Sequence, residues 1–438
     1  VHLSMGLLRC LLLTGAAALQ PRNAPAGRPA QLARLKASLP QALIKQFGAS
    51  ALALTAWTGG IAVSLAPQDA YAAKASNAQT SQGSRVNKDA ESLLRYGLPM
   101  ENPAARELQK AVEEIKDNLK AKRISAAGNA VEQAKRVLNA KADKIAVGPF
   151  EAEISEKLAQ IQAELAPIGS ILLDLKASGS PQERAALDDA GARQARASQL
   201  VTQVEARLVP AGYKAVVPAE YSNLPRLDGR ARVEFTFRKA EKGGQFAIDS
   251  VLYDEAKLEV IVDGYTAPLT AGNFLDLVKN KYYTNMAIQR SDGFVVQTGD
   301  PDGPDGPLYG YAPDGKTVRT IPLEIAVNVD DQPMYGSTTE DDLRGAAQTK
   351  LPFQSYGALG MARNEYEADS ASSQFFFLLF DSDLTPAGKN LLDGRYACFG
   401  YTVKGEDFLS DIKEGDIITS ARIIRAPAPF GDYSGLDP

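Results

Sequence analysis

Residues 288–300 read I-Q-R-S-D-G-F-V-V-Q-T-G-D. Arg290 is the one cation in that run. Phe294, Val295 and Val296 follow it, then Gln297, then a Gly-Asp turn. The alternation over 294–297 predicts a strand with one face buried. Arg290 and Gln297 then place a fixed cation and an amide beside an apolar surface. That pairing suits a neutral, partly apolar guest whose polar centre is an amide. A second stretch is of the same kind: Gly360-Met361-Ala362-Arg363, then Ser372-Ser373-Gln374 ahead of an apolar run to Phe380. On these residues alone, an arginine by an apolar strand can equally be an ion-pair partner or lay its stem along the surface. Phe375, Phe376 and Phe377 can equally be strand core.

Other chemistries lose their residues. The chain has one histidine, His2, and one tryptophan, Trp57, both in a segment expected to be removed. A processed chain then has no histidine base, no Ser-His-Asp triad and no histidine-ligated zinc. Of two cysteines, Cys10 falls in that segment, so Cys398 has no partner within the chain and the redox compartment cannot be read from it. Asp300-Pro301-Asp302-Gly303-Pro304-Asp305-Gly306 resembles a calcium loop but puts Pro304 and Tyr311 at ligand positions, so it reads as turns. No phosphate-binding G-x-x-x-x-G-K-[ST] loop exists. No metal and no cofactor is expected.

The 438 residues carry 48 basic and 53 acidic groups, net −5. The charge is uneven. Residues 1–72 hold six bases (Arg9, Arg22, Arg28, Arg34, Lys36, Lys45) and a single acid, Asp69. The rest is more acidic than the whole, which argues against nucleic acid as a partner. Residues 5–19 read as a secretory-type signal. Residues 20–48 have transit-peptide composition, and the apolar run 49–67 ends in the A-x-A site Ala70-Tyr71-Ala72. Three signals in series predict import into a plastid and transfer to the thylakoid lumen, with 1–72 cleaved. Membrane contact is then expected only through targeting or through clients. Residues 73–83 read as flexible.

The elements that must position the site come in two kinds. Residues 84–209 have helical periodicity. Asn102-Pro103 and Ser180-Pro181-Gln182-Glu183 are helix starts. Ile154, Leu158, Ile161, Leu165, Ile168, Leu172 and Leu175 alternate in spacing of four and three, a bundle seam. Pro167 interrupts it and predicts a kink. Prolines 210, 218 and 225 mark a linker, 210–227. From 228 to 438 the period changes to two, as in Val233-Glu234-Phe235-Thr236-Phe237, and many short strands with two helices indicate a closed antiparallel barrel.

The order G-N-F, Q-R-x-x-G-F-x-x-Q-x-G-D-P, G-x-x-x-M-A, S-S-Q-F-F and L-D-G-R-Y-x-x-F-G resembles the cyclophilins over about 170 residues. With the helical module and the address, the chain resembles the large thylakoid-lumen cyclophilins of plants and algae. The resemblance implies an α + β two-domain chain: an N-terminal helical bundle, then a cyclophilin-like closed antiparallel β-barrel with flanking helices.

It also implies peptidyl-prolyl cis-trans isomerase activity on proline-containing protein clients, in protein folding and in photosystem II assembly and repair. Arg290 matches the catalytic arginine, acting with Phe294 and Gln297. Phe294, Val295, Phe376 and Leu392 match the walls of the proline pocket. Gln297 and Gln374 match residues that hold the client backbone, and Ala362 and Arg363 a segment that binds it by main chain. Leu391 and Tyr396 complete the rim. Three departures stand out. The family pattern Arg-x-x-x-Gly-Phe is one residue shorter here, Arg363 replaces a common Asn, and Leu391 stands where cyclosporin-sensitive members have Trp. They support an alternative expectation, an assembly chaperone or binding protein with weak or autoinhibited isomerase activity.

Overall fold

The computed structural model of the protein describes residues 87–175, 180–300, 310–380 and 390–424. The targeting segment 1–72, the stretch 73–83 and most of the calcium-like loop lie outside them. Five helices come first: α1 Ala90–Tyr96, α2 Pro103–Lys120, α3 Ile124–Ile145, α4 Glu151–Asp174 and α5 Pro181–Arg207. Their starts are chemically marked. Asp89, Asn102 and Ser180 each accept a backbone N–H from the first turn, those of Ser92, Ala105 and Glu183. Proline opens α2 and α5, where its missing N–H costs nothing.

Helices α2 to α5 pack through one apolar core. Ile154, Leu158, Ile161, Leu165, Ile168 and Leu172 are all buried in it, with Val112, Ile115, Val131 and Val201 facing them. The seam ends at Leu172, because Leu175 caps α4 in extended conformation and is only half-buried. Pro167 lies inside α4 and does not end it.

The second half is a curled nine-stranded antiparallel sheet, ordered β5-β13-β1-β4-β12-β10-β11-β7-β6. Its strands are β1 Arg230–Arg238, β4 Ala256–Asp263, β5 Met286–Ala287, β6 Arg290–Ser291, β7 Val295–Thr298, β10 Ala358–Met361, β11 Phe375–Leu378, β12 Cys398–Lys404 and β13 Ile417–Ile424; β2 Phe246–Ile248 pairs with β3 Val251–Tyr253, and β8 Glu324–Ile325 with β9 Met334–Tyr335, in two small sheets beside it. The end strands β5 and β6 are two halves of one stretch, 286–291. Met286 and Ala287 pair with β13, while Arg290 and Ser291 pair with β7. The sheet therefore closes on itself through the run that carries Arg290. Val233, Phe235, Phe237, Phe375, Phe377 and Phe399 fill the interior, and helix α6, Pro268–Lys279, packs its Phe274 against them. Alternation puts Phe375 and Phe377 inside and Phe376 on the other face.

Helix α1 belongs to both halves. Leu93 and Leu94 are buried in a cluster on the outer face of the sheet, with Ile261, Leu351, Phe353, Phe376 and Tyr401. The buried Arg230 of β1 pairs with Asp263 and donates to the Leu94 carbonyl. The next residue, Arg95, faces the bundle and is also buried. It donates to Glu113 at 2.9 and 3.1 Å and to Thr202 at 2.9 Å. Among the described residues of 228–424 there is one α-helix, α6. Helix α1 also flanks the sheet, from upstream. The segment after α5 runs on the sheet side: Val216 N–H donates to Gln332 Oε1 at 2.7 Å, and Tyr335 hydroxyl to the Val216 carbonyl.

Candidate active site

The strand register builds one row across four strands. Arg290 of β6 faces Gln297 of β7, Gln297 faces Phe376 of β11, and Phe376 faces Gly360 of β10. Directly opposed residues in antiparallel strands share a face. A cation, an amide, a ring and a glycine therefore lie side by side on the outer surface. The glycine is required there. A Cβ on Gly360 would fall 2.1 Å from Phe376 Cζ, so only hydrogen leaves room for the ring.

Phe376 is the floor of this surface and is 5% exposed. Phe353 stacks under it, with centroids 5.9 Å apart and planes at 17°, and Tyr396 meets it edge-on at 6.1 Å. Val295 is buried in the same cluster, and Ala362, Leu392, Tyr396 and Phe380 pack around it half-buried. Leu391 is 74% exposed and stands on the rim. Phe294 departs from the expected place. It is 52% exposed, and its ring stacks on Phe380 at 5.7 Å. The cause is local. The shortened loop turns at Gly293 with φ of 84°, a left-handed conformation that glycine adopts freely, and delivers Phe294 to the edge of the cluster.

Two polar systems flank the floor. Arg290 is 39% exposed and binds Asp292: Nε donates to Oδ2 at 2.7 Å and Nη2 pairs with the same oxygen. Asp292 Oδ1 accepts the N–H groups of Phe294 at 3.0 Å and Val295 at 3.1 Å. Partial burial pulls the Asp292 carboxyl up. The two N–H donors and then Arg290 outweigh that and hold it below the usual carboxylate range.

On the other side, Gln297 Nε2 donates to Gln374 Oε1 at 3.0 Å, and Gln374 Nε2 donates to Asp300 Oδ2 at 3.1 Å. With Asp300 accepting at the end of this relay, both amides point one way. Gln297 is left with its carbonyl oxygen and one N–H for a guest. The Ala362 N–H is taken by the Gln374 carbonyl at 2.9 Å. Arg363 lies over the Tyr396 ring at 5.1 Å and donates to the carbonyls of Arg395, Asn364 and Glu365. Its side chain ties the loop after β10 to the segment before β12. Burial pushes the Tyr396 hydroxyl above its ordinary pKa, so Tyr396 offers a neutral ring and a hydroxyl.

The structure thus brings Arg290, Gln297, Gln374, Val295, Phe376, Ala362, Leu392, Tyr396 and Arg363 around one surface, with Phe294 and Leu391 at its edge. Sequence reading missed Asp292, Asp300, Phe353 and Phe380. Asp292 could have been found from its place before glycine in a shortened turn. Phe353 gives no local signal, since it reaches Phe376 from a loop.

Comparison with known proteins identifies the two halves of the chain. Residues 248–427 match the cyclophilin type peptidyl-prolyl cis-trans isomerase family, and residues 89–209 match the PsbQ-like domain of CYP38-like peptidyl-prolyl cis-trans isomerases. The chain is 41% identical over 344 residues to the chloroplastic peptidyl-prolyl cis-trans isomerase CYP38 of Arabidopsis thaliana, spanning 77% of this chain and 74% of that protein. It is 40% identical over 345 residues to a thylakoid lumen peptidyl-prolyl cis-trans isomerase of Synechocystis sp., spanning 78% and 84%. A solved cyclophilin of Cryptosporidium parvum aligns over 39% of this chain and 94% of its own, at 22% identity and a TM-score of 0.26. The two matched domains and the Arabidopsis and Synechocystis relatives, each at least 40% identical and covered over more than two thirds of its length, show that the chain belongs to the CYP38-like family of thylakoid-lumen cyclophilins, which are peptidyl-prolyl cis-trans isomerases.

Proposed function

We propose that the surface around Phe376 isomerises Xaa-Pro bonds in proline-containing proteins of the thylakoid lumen, and that its clients include photosystem II subunits during assembly and repair. The observation that carries the catalytic part is the row Arg290, Gln297, Phe376. Isomerisation breaks no covalent bond. Its barrier of about 18–20 kcal/mol is amide resonance. A donor directed at the prolyl nitrogen stabilises the lone pair that localises there as the amide twists, so it favours the twisted state over either planar one. Arg290 supplies that donor, Phe376 and Val295 a floor for the five-membered ring, and Gln297 an acceptor for the client backbone. Family resemblance supports the photosystem II role. The test is isomerisation of an Ala-Pro peptide by the full chain and by Arg290→Ala. A rate equal to the uncatalysed one in both would remove the enzymatic reading.

A second reading is favoured by the near-complete burial of Phe376 and by the presence of Leu93 and Leu94 of α1 in its cluster. On that reading the protein is an assembly chaperone whose isomerase activity is weak or restrained. Client capture then survives Arg290→Ala and is lost when the bundle surface is altered.

A further inference from the structure

Asp292 has two oxygens with two different tasks. Oδ1 accepts the N–H groups two and three residues on, those of Phe294 and Val295, which is ordinary turn chemistry for Asp ahead of Gly. That task needs no charge, and Asn would do it. Oδ2 does something the turn does not require: it takes Nε and Nη2 of Arg290. The pair is more than one-third exposed on both sides, so it adds little to the stability of the fold. What it does is to select one orientation of a long, otherwise free side chain. Nε and Nη2 are committed, and Nη1 has no acceptor among the described residues. Because Oδ1 is pinned by two backbone donors, the anchor itself cannot swing.

We propose that Asp292 is a positioning residue for the isomerisation: its carboxylate holds the Arg290 guanidinium in place beside Gln297, with Nη1 as the donor left for the client. The turn makes this possible, since its N–H groups hold Asp292, two residues after Arg290, in place. A donor that must act on a developing lone pair is effective when already oriented, and each alternative rotamer of Arg290 takes it out of action. The inference rests on the reading of Arg290 as the catalytic donor.

Three variants of the full chain test it: Asp292→Asn, Arg290→Ala and the double variant, assayed on an Ala-Pro peptide, with the Arg290 Nε–H resonance followed by NMR. Asn keeps the Oδ1 acceptor for the turn and removes the ionic hold. Asp292→Asn is expected to lower kcat about three- to fivefold, the most a weak exposed ion pair can bias one rotamer, with KM within about twofold and a melting temperature close to that of the parent. It should shift the Nε–H resonance, and it should have no further effect once Arg290 is alanine. If Asp292→Asn matches or exceeds the parent rate while Arg290→Ala falls, the positioning role is overturned and the isomerase reading stands. Equal losses with and without Arg290 also overturn it, because the carboxylate then acts on the fold alone. If Arg290→Ala itself keeps the parent rate, the reading beneath the inference fails and takes the inference with it.

Discussion

Gly360→Ala is the sharpest test of how the site is built. The added methyl would lie 2.1 Å from Phe376 Cζ and 2.6 and 2.7 Å from the neighbouring ring carbons. Ordinary carbon contacts need about 3.5 Å or more, so the ring must retreat by more than an ångström. Phe353 stacks on it and Tyr396 closes its edge. Overpacking of a boxed ring costs about 1–3 kcal/mol. In a domain of this size that lowers the melting temperature by about 2–4 °C per kcal/mol. The isomerase should suffer more than the fold, because the displaced ring is the pocket floor. Thermal melting and kcat/KM on an Ala-Pro peptide read the two effects separately. Phe376→Leu in the same chain supplies a check: the smaller side chain frees space, so the double variant should be more stable than the two single losses predict, by about 1 kcal/mol or more. Parent-like melting and KM in Gly360→Ala, or strict additivity in the double variant, would refute the close packing of glycine on ring.

Two further outcomes follow from other parts of the molecule. Glu205 of α5 is fully buried, with Oε1 3.3 Å from Arg106 Nη1 and Oε2 without a hydrogen-bond partner among the described residues. Burial pushes its carboxyl up to about 7 against the pull of Arg106 and Arg95. The folded protein therefore holds a proton that the unfolded chain releases near the ordinary 4.5. The stability tied to this group is present in full below about pH 4.5 and is lost as pH rises through about 7, by about 3 kcal/mol at most. Glu205→Gln should flatten the pH dependence of urea unfolding between about pH 5 and about pH 8, and a slope equal to the parent's would refute the assignment. Leu94→Ala and Leu165→Ala each remove a buried leucine at a cost of about 2–5 kcal/mol. Only Leu94 shares a cluster with Phe376, so only Leu94→Ala should raise KM for the peptide; equal KM values would disconnect α1 from the site.

Much of this arrangement is legible in the sequence, for stated reasons. The alternating seam of α4 and the period-two runs of β1 and β4 are long enough for periodicity to speak. That Arg290 and Gln297 stand beside one apolar surface can be read from the run itself, whereas the hairpin that pairs them across two strands cannot. What escapes is decided by long-range packing or by one backbone angle. Phe294 carries the pattern of a pocket residue, yet the Gly293 turn sets it on Phe380. Helix α1 is a single Leu-Leu pair in seven residues, too short to show which side is apolar, and its two leucines serve the sheet while the adjoining arginine serves the bundle. Phe353 and Asp300 act on side chains far away in the chain, Phe376 and Gln374, which local spacing cannot reveal.

Helix α1 makes the boundary between the halves a mortise and not a hinge. Leu93 and Leu94 are sunk into one block, Arg95 into the other, and Arg230 clasps the carbonyl between them. A fragment cut at the proline-rich junction would leave the sheet with an empty socket: greasy walls facing water and a guanidinium of β1 deprived of one acceptor. Such a fragment reports on a wounded barrel. Its rates and its tendency to clump would say as much about the missing peg as about catalysis.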